Sequence, residues 1–183
     1  MKIAIVGQAR AGKDTVAHYL VDYYQFTEYK FSRGIHDVID LIRSKTDASK
    51  NRFDLQGVGQ GLRKVLGDDI WVNYTLKLIK DNQLPQDNIV ISDCRQQNER
   101  DILAGEGYLF IKVVSDRQTR IERMELEGDI FSETNLDHET ERIPFDTDYT
   151  ITNNGTLEEL YQQLDRLLEV LHTSKEWRDG TFN

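Results

Sequence analysis

The chain has 183 residues, of which 38% are hydrophobic and 30% are charged. This length suits one domain, or one domain with a small inserted lobe, and the 12 Gly and 2 Pro exclude collagen-like and low-complexity classes. The 32 acidic residues outnumber the 23 basic ones, giving a net charge of −9, and no Lys/Arg-rich arm is present. Binding along duplex nucleic acid requires a basic face, so we expect no nucleic-acid partner.

The number of cysteines and the hydropathy of the chain indicate the cellular compartment in which we expect the protein. Cys94 is the single cysteine of the sequence, which excludes an intramolecular disulfide and a cysteine-based zinc cage. The first residues, MKIAIVG, turn polar too early for a signal peptide. No apolar run approaches the roughly 18 residues of a membrane span. We therefore expect a cytoplasmic protein without a membrane partner.

The first half of the chain predicts two strands and four helices from its apolar spacing. The apolar run 2–6 ends at Gly7, as a buried parallel strand would. A polar loop is expected at 46–54. In chain order, the predicted elements are strand 2–6, helix 15–25, a weaker strand 28–31, helix 35–42, and helices near 62–66 and 72–79.

The second half alternates strands and helices more clearly. Ser115 with Gln118, and Thr156 with Glu159, have the spacing of a capping box at a helix N-terminus. The predicted elements are strand 88–92, helix 96–104, strand 109–114, a helix from Ser115 that stops at Gly128, strand 149–152, and a final helix with leucines 157, 160, 164, 167, 168 and 171 on one face. Alternation of this kind predicts the α/β class with a parallel sheet.

One segment departs from this pattern. Residues 127–148 contain eight acidic residues and one basic residue, Arg142, with little apolar periodicity. Such a segment is typical of a mobile loop or flap that projects from the core.

A glycine-rich segment, GQARAGKDT, lies between the first strand and the first helix, at 7–15. Gly7 and Gly12 let the backbone curl so that successive N–H groups point at phosphate oxygens. The helix N-terminus adds partial positive charge, and Lys13 is spaced to reach the β and γ phosphates. The segment therefore predicts a nucleotide phosphate site. Its expected contact residues are Gly7, Arg10, Ala11, Gly12, Lys13, Asp14 and Thr15.

Asp14 stands where Ser or Thr is usual in such a loop. A carboxylate beside triphosphate oxygens repels them unless a cation lies between. Two interpretations stay open: Asp14 contacts Mg²⁺ or its water shell, or the hydroxyl of Thr15 takes the usual metal role.

A second cluster follows the strand at 88–92, where IVISD leads into CRQQNE. Together with AGKDT and the run LRKVLGDDIWV, it resembles the deoxynucleoside monophosphate kinases of bacteriophages, within the P-loop nucleoside monophosphate kinase superfamily. The GKDT loop is shared with animal-type phosphomevalonate kinases. The resemblance runs from Met1 to about Leu171 and is most specific at 7–15 and 93–99.

The resemblance implies a P-loop kinase fold: a five-stranded parallel sheet flanked by helices, with an acceptor-binding lobe and a lid. The core would comprise 1–31, 83–127 and 146–172, the lobe about 32–82, and the lid about 128–145. The acidic segment falls at the expected lid, and its LDHETER stretch resembles a lid motif of these kinases.

The resemblance also implies roles for charged residues. Arg63 and Arg95 would grip the 5′-phosphate of the acceptor, and Glu99 would belong to the same acceptor site. Asp93, at the end of its strand, would hold magnesium water, making Asp14, Thr15 and Asp93 the candidate metal residues. Catalytic charge neutralisation would fall to Lys13, Arg95, Arg120 and Arg123, with Arg142 a lid partner.

Each assignment has a structural alternative. Asp93 could cap the following helix, and Arg95 could pair with Glu99 at helical i, i+4 spacing. Arg120 and Arg123 could form a solvated ion-pair face among neighbouring glutamates, and Arg63 could be an ordinary surface residue.

The expected reaction is ATP- and Mg²⁺-dependent phosphorylation of a (deoxy)nucleoside 5′-monophosphate to the diphosphate. The partners would be small nucleotides, in the cytoplasm, or in the host cytoplasm if a phage encodes the protein; a homodimer is left open. The alternatives are a dephospho-coenzyme A kinase, which the ending DYTITNNGTLEEL also resembles, a phosphomevalonate kinase, or a nucleotide sensor without phosphoryl transfer.

Overall fold

The computed structural model of the chain describes residues 1–45, 52–84, 87–128 and 143–178, without the side chains of 52–54 and 174–178. The strands in these ranges are β1 Lys2–Val6, β2 Thr27–Tyr29, β3 Ile89–Ile91, β4 Leu109–Val114 and β5 Tyr149–Thr152. The helices there are α1 Lys13–Tyr24, α2 Phe31–Arg43, α3 Arg52–Leu66, α4 Ile70–Asn82, α5 Gln97–Gly105, α6 Arg117–Leu126 and α7 Leu157–Arg178. Within the described ranges, none of these helices combines the length and apolarity needed to cross a bilayer.

The five strands form one parallel sheet in the order β2-β3-β1-β4-β5. The predicted α/β class and parallel sheet are confirmed. β1 lies at the centre, where Ile3 pairs with Val90 on one side and with Leu109 on the other. The four residues from Ile3 to Val6 are fully buried, because helices cover both faces of the sheet. After β3 the chain crosses to the other side of β1, which opens a crevice at the carboxyl ends of the strands.

Two apolar layers cover the sheet. On one face, α1 and α7 contribute Val16, Leu20, Leu160, Leu164 and Leu168. On the other face, α2, α4 and α5 contribute Phe31, Trp71, Val72, Ile79 and Leu103. In the part of the chain that the structure describes, both faces of the central strands are therefore covered, and a ligand can approach these strands at their ends.

The structure tests several predictions about single residues. The leucines of α7 at 160, 164, 168 and 171 are buried as predicted, whereas Leu157 is 58% exposed. The capping box of Thr156 and Glu159 is confirmed, with reciprocal backbone-to-side-chain bonds of 2.8 and 3.2 Å.

The capping box predicted for Ser115 and Gln118 is wrong. The residue preceding α6 is Asp116, and the hydroxyl of Ser115 donates instead to the backbone carbonyl of Asn153 at 2.9 Å. The end of β5 offers that acceptor, a contact across the sheet that local spacing does not reveal.

The predicted polar loop at 46–54 overlaps α3, which begins at Arg52. Residues 46–51 lie outside the described residues. So do residues 129–142, which include Arg142 and most of the predicted flap and lid, so these stay predictions.

Two tyrosines of α1 fasten this helix to α7. The hydroxyls of Tyr19 and Tyr24 donate to the carboxylate of Asp165 at 2.8 and 2.6 Å. Tyr19 also stacks on Tyr161 with ring centroids 4.0 Å apart. Burial, reinforced by the bond to Asp165, raises the pKa of Tyr24 to about 12 from its ordinary 10.0.

Replacing Asp165 with Ala should therefore lower the free energy of unfolding by about 1–3 kcal/mol, since two half-buried hydroxyls lose their acceptor. Urea unfolding at pH 7 measures this, with Asp22→Ala, an exposed position on α1, as control. Equal losses in the two variants would contradict the tie between the helices.

In the wild type, the free energy of unfolding should fall as pH rises from 10 toward 12, because Tyr24 ionises at a lower pH in the unfolded chain than in the folded one.

Candidate active site

The glycine-rich loop joins β1 to α1, and two of its glycines sit where a side chain does not fit. Gly12 has φ of +102°, a backbone conformation that L-residues rarely adopt, and a Cβ there would collide with the side-chain amide of Asn153. A Cβ on Gly7 would lie 2.5 Å from the carbonyl oxygen of Val113. The loop therefore runs against the carboxyl ends of β4 and β5.

Polar side chains from the end of β5 and from α6 bond to the loop. The buried amide of Asn153 donates to the carbonyl of Ala11 at 2.9 Å. The guanidinium of Arg123 on α6 donates to the carbonyls of Arg10 at 3.2 Å and Asn153 at 3.0 Å. Sequence reasoning missed Asn153; the available signal was its position directly after a short strand.

A cleft of about 760 Å³ opens beside the loop at the carboxyl edge of the sheet. It brings together eight of the predicted site residues: Arg10, Gly12, Lys13, Asp14, Thr15, Asp93, Arg95 and Arg123. The other predicted residues, Gly7, Ala11, Arg63, Glu99 and Arg120, do not line it. Lys13 points its ammonium back onto the loop, donating to the carbonyl of Gln8 at 2.9 Å.

Asp93 directly follows Ser92 at the end of β3 and bonds to the start of α2. Its two carboxylate oxygens accept the backbone N–H groups of Phe31 at 2.8 Å and Ser32 at 2.9 Å. The alternative that Asp93 caps the following helix is wrong, because Gln96 precedes that helix. A strand end on one side of the cleft thus fixes the first turn of the helix on the other.

Arg63 and Glu99 form a buried ion pair behind the cleft. The guanidinium of Arg63 lies 3.0 Å from one carboxylate oxygen of Glu99, which is 3% exposed. The other oxygen accepts the backbone N–H groups of Arg95 at 2.9 Å and Gln96 at 3.0 Å. Burial raises the pKa of Glu99, although these N–H groups and Arg63 oppose the shift. The pair holds the backbone that carries the exposed Arg95 side chain into the cleft.

Replacing Arg63 with Met should destabilise the protein by about 3–5 kcal/mol, because it leaves the charge of Glu99 buried without its partner. Glu99→Gln should cost stability for the reciprocal reason. The double variant should lose less than the sum of the single losses by about 1 kcal/mol or more.

Urea unfolding of the four proteins measures this coupling. Arg33→Met, which breaks a more exposed pair with Asp37 at 2.8 Å, is the matched control and should cost at most about 1 kcal/mol. Additive losses at Arg63 and Glu99 would contradict their assignment as one buried pair.

A chain of alternating charges begins at the cleft wall, which Asp14 and Lys30 line. Asp14 lies 2.8 Å from the ammonium of Lys30, which is also 3.2 Å from Glu28. The hydroxyl of Ser92 donates to the same oxygen of Glu28. Burial by itself raises the pKa of Asp14, but the hydrogen bond and charge of Lys30, aided by Lys13, lower it overall.

Arg120 and Arg123 occupy different surroundings, although they lie three residues apart on α6. Arg123 lines the cleft, whereas Arg120 is 4% exposed and does not. Among the described residues, the Nε and Nη1 atoms of Arg120 have no hydrogen-bond partner. Positions i and i+3 differ by about 60° around a helix, so one side chain can face the cleft while the other faces the interior.

Magnesium binding depends on the donor atoms of the cleft. The described residues contain no cluster of three or more His, Cys, Asp or Glu side chains able to hold a metal on its own. The cleft does contain the hydroxyl of Thr15 and the carboxylates of Asp14 and Asp93. These hard oxygen donors fit Mg²⁺. In kinases the coordination shell of this ion is completed by phosphate oxygens of the nucleotide.

Three solved structures that share this fold are kinases by name. A gluconokinase from Sinorhizobium meliloti 1021 has a TM-score of 0.57 at 18% identity, over 94% of this chain and 96% of its own. The Mycobacterium tuberculosis APS kinase CysC, in complex with AMPPNP and APS, has a TM-score of 0.54 at 15% identity, over 92% and 97%. A shikimate kinase from Acinetobacter baumannii has a TM-score of 0.52 at 17% identity, over 92% and 93%. No curated protein matches the sequence significantly. The fold is that of the P-loop kinases.

The profile of the deoxynucleotide monophosphate kinase family matches residues 55–164, more than half of the chain. The chain belongs to this family, as its sequence motifs predicted. It is a nucleotide kinase, and membership implies ATP as phosphoryl donor and a small nucleotide as substrate. The matched span begins at α3 and leaves out the glycine-rich loop, so the loop geometry is an independent observation.

Proposed function

We propose that the protein transfers the γ-phosphoryl group of ATP to the 5′-phosphate of a (deoxy)nucleoside monophosphate, with Mg²⁺, and releases ADP and the diphosphate. The observation that carries this proposal is the cleft. It combines a phosphate-binding loop at the end of β1 with a guanidinium, Arg95, beyond the end of β3. The loop suits the phosphates of the donor, and the guanidinium of Arg95 suits the phosphate of an acceptor.

The reaction needs alignment more than proton transfer. The second pKa of a phosphate monoester is about 6, so the acceptor is largely a dianion at neutral pH. One of its oxygens forms a bond to the γ-phosphorus while the bond from this phosphorus to the β–γ bridging oxygen breaks, and ADP leaves with that electron pair. A general base is not required, and catalysis consists of positioning and charge neutralisation.

The donor side is formed by the loop. Its backbone N–H groups, from Gly7 to Thr15, and the N-terminus of α1 would hold the triphosphate. Lys13 would exchange its bond to the carbonyl of Gln8 for the β and γ phosphates. Arg123, held against the loop backbone, would add positive charge at the edge of the donor site.

Magnesium would be held by oxygen donors beside the loop, with Thr15 as direct ligand and Asp93 through water. Asp14 is the third candidate, although Lys30 already faces it. When bound, Mg²⁺ neutralises charge on the β and γ phosphates and fixes their orientation.

The acceptor side would be formed by Arg95, whose backbone is held by Glu99 and Arg63. Helices α2 to α4 would form the acceptor lobe at about 32–82, and 128–145 the lid. Arg142 would join Arg123 at the γ-phosphoryl group on lid closure, which would exclude water and prevent hydrolysis of ATP. Arg120, which is buried and does not line the cleft, is left out of this group.

Replacing Lys13 with Ala should lower kcat more than tenfold, a barrier increase above about 1.4 kcal/mol, because a charge on the β and γ phosphates is lost. A coupled assay with ATP and a panel of nucleoside monophosphates, dephospho-coenzyme A and phosphomevalonate measures turnover and identifies the acceptor class. Lys77→Ala, an exposed lysine paired with Asp81 on α4, should retain wild-type turnover. A Lys13→Ala variant with more than a tenth of wild-type kcat would refute the loop assignment.

Replacing Arg95 with Ala should raise the Kd and KM of the monophosphate about tenfold or more, because a charge-assisted bond to its phosphate is lost. ATP affinity should stay within about threefold of wild type. Calorimetric titration of each nucleotide separately measures the two effects, and Arg117→Ala, exposed on α6, is the control. Weaker ATP binding with unchanged monophosphate binding would reverse the assignment of the two subsites.

A further inference from the structure

Lys30 lies between the donor loop and the acceptor lobe, and its ammonium contacts two carboxylates. It is 2.8 Å from Asp14, in the first turn of α1, and 3.2 Å from Glu28 on β2. Glu28 is itself oriented by the hydroxyl of Ser92 at the end of β3. Lys30 lines the cleft together with Asp14 and Ser92.

Asp14 is an electrostatic problem for a triphosphate site. It follows Lys13 directly, so a fully effective negative charge there would cancel much of the attraction that the lysine provides. The contact with Lys30 removes this problem before any metal ion binds. Asp14 already has its cation in the protein.

Anchoring the backbone does not account for the side chain of Lys30. The corner between β2 and α2 has its own anchor, since Asp93 accepts the backbone N–H groups of the two residues that follow Lys30. The lysine side chain instead turns toward the first helix and is held there by Glu28. Its contacts therefore concern the charge of Asp14 rather than the path of the chain.

We propose that Lys30 is a positioning residue of the donor site, which neutralises Asp14 so that ATP binds beside it and the hydroxyl of Thr15 serves as the metal ligand. The inference rests on the proposed function, because it concerns the same donor site. It assigns to a lysine of the protein the role that sequence reasoning gave to magnesium at Asp14.

Three variants test the charge relation: Lys30→Met, Asp14→Asn, and the two combined. Calorimetric titration of ATP in EDTA measures affinity without metal. Lys30→Met should weaken metal-free ATP binding about tenfold or more, because Asp14 is then unopposed, and Asp14→Asn should tighten it. The double variant should return to within about threefold of wild type, since one positive and one negative charge are removed together.

Two further variants separate charge from structure. Lys30→Arg keeps the positive charge beside Asp14 and should therefore retain wild-type affinity for metal-free ATP. Lys77→Met removes an exposed lysine that does not line the cleft and should leave ATP binding unchanged. Circular dichroism and thermal unfolding establish that each variant is folded before titration.

Two results would overturn the inference. A double variant as weak as Lys30→Met would mean that Lys30 binds a phosphate itself. Titrations repeated at increasing Mg²⁺ supply the other: if Asp14→Asn raises the magnesium concentration that half-maximally tightens ATP binding, Asp14 is a metal ligand after all.

Failure of the proposed function would look different. A wild-type protein that binds ATP with the expected charge pattern but phosphorylates no monophosphate of the panel would refute nucleotide phosphorylation and leave the Lys30–Asp14 relation standing. Normal turnover with ATP binding indifferent to Lys30 would refute the inference alone.

Discussion

The bond from the buried amide of Asn153 to the carbonyl of Ala11 holds the glycine-rich loop against the sheet. Gly12 has no Cβ at the place where that amide lies, and its positive φ lets the chain turn there into α1. The guanidinium of Arg123 donates to the carbonyl of Arg10, the loop residue directly before Ala11. The loop is therefore shaped before a nucleotide arrives, so little of the binding free energy is spent on ordering it.

The opposite wall of the cleft is fixed in the same manner, from β2 and β3. Asp93 holds the start of α2 through two backbone N–H groups, and the buried pair of Arg63 and Glu99 holds the segment that carries Arg95. In both walls a buried or half-buried polar group bonds to backbone at a strand end. Such bonds are short and directional, which suits a site where two phosphates must be aligned.

Local sequence predicted what depends on local physics. Apolar runs predicted the strands, the leucine spacing predicted the buried face of α7, and the GKDT motif predicted a loop that lines the cleft. Contacts between distant segments could not be predicted from local sequence. Asp93 bonds to residues 61 and 62 positions away, and Glu99 pairs with Arg63, which lies 36 positions away. The failed capping box at Ser115 has the same origin, since its hydroxyl is taken by a carbonyl of another strand. Lys30 was missed because it was assigned to a strand on periodicity alone, which says nothing of the carboxylates nearby.

The charge of the cleft differs from that of the whole chain for a physical reason. The protein carries a net charge of −9, yet its substrates are polyanions. Of the carboxylates in the described cleft wall, Asp14 faces Lys30, Asp93 accepts two N–H groups, and Glu127 lies 3.9 Å from Arg10.

Because these carboxylates are compensated locally, the N–H groups of the loop, the α1 N-terminus and the cations that line the cleft contribute strongly to the potential that a phosphate meets. Net charge bears on whether a long nucleic acid can lie along the surface, because that depends on an extended basic face. A small anion in a crevice responds instead to the few groups within a Debye length of it, about 8 Å at physiological ionic strength. An acidic protein can thus bind a small polyanion such as a nucleotide, provided that each carboxylate near the ligand has its own partner.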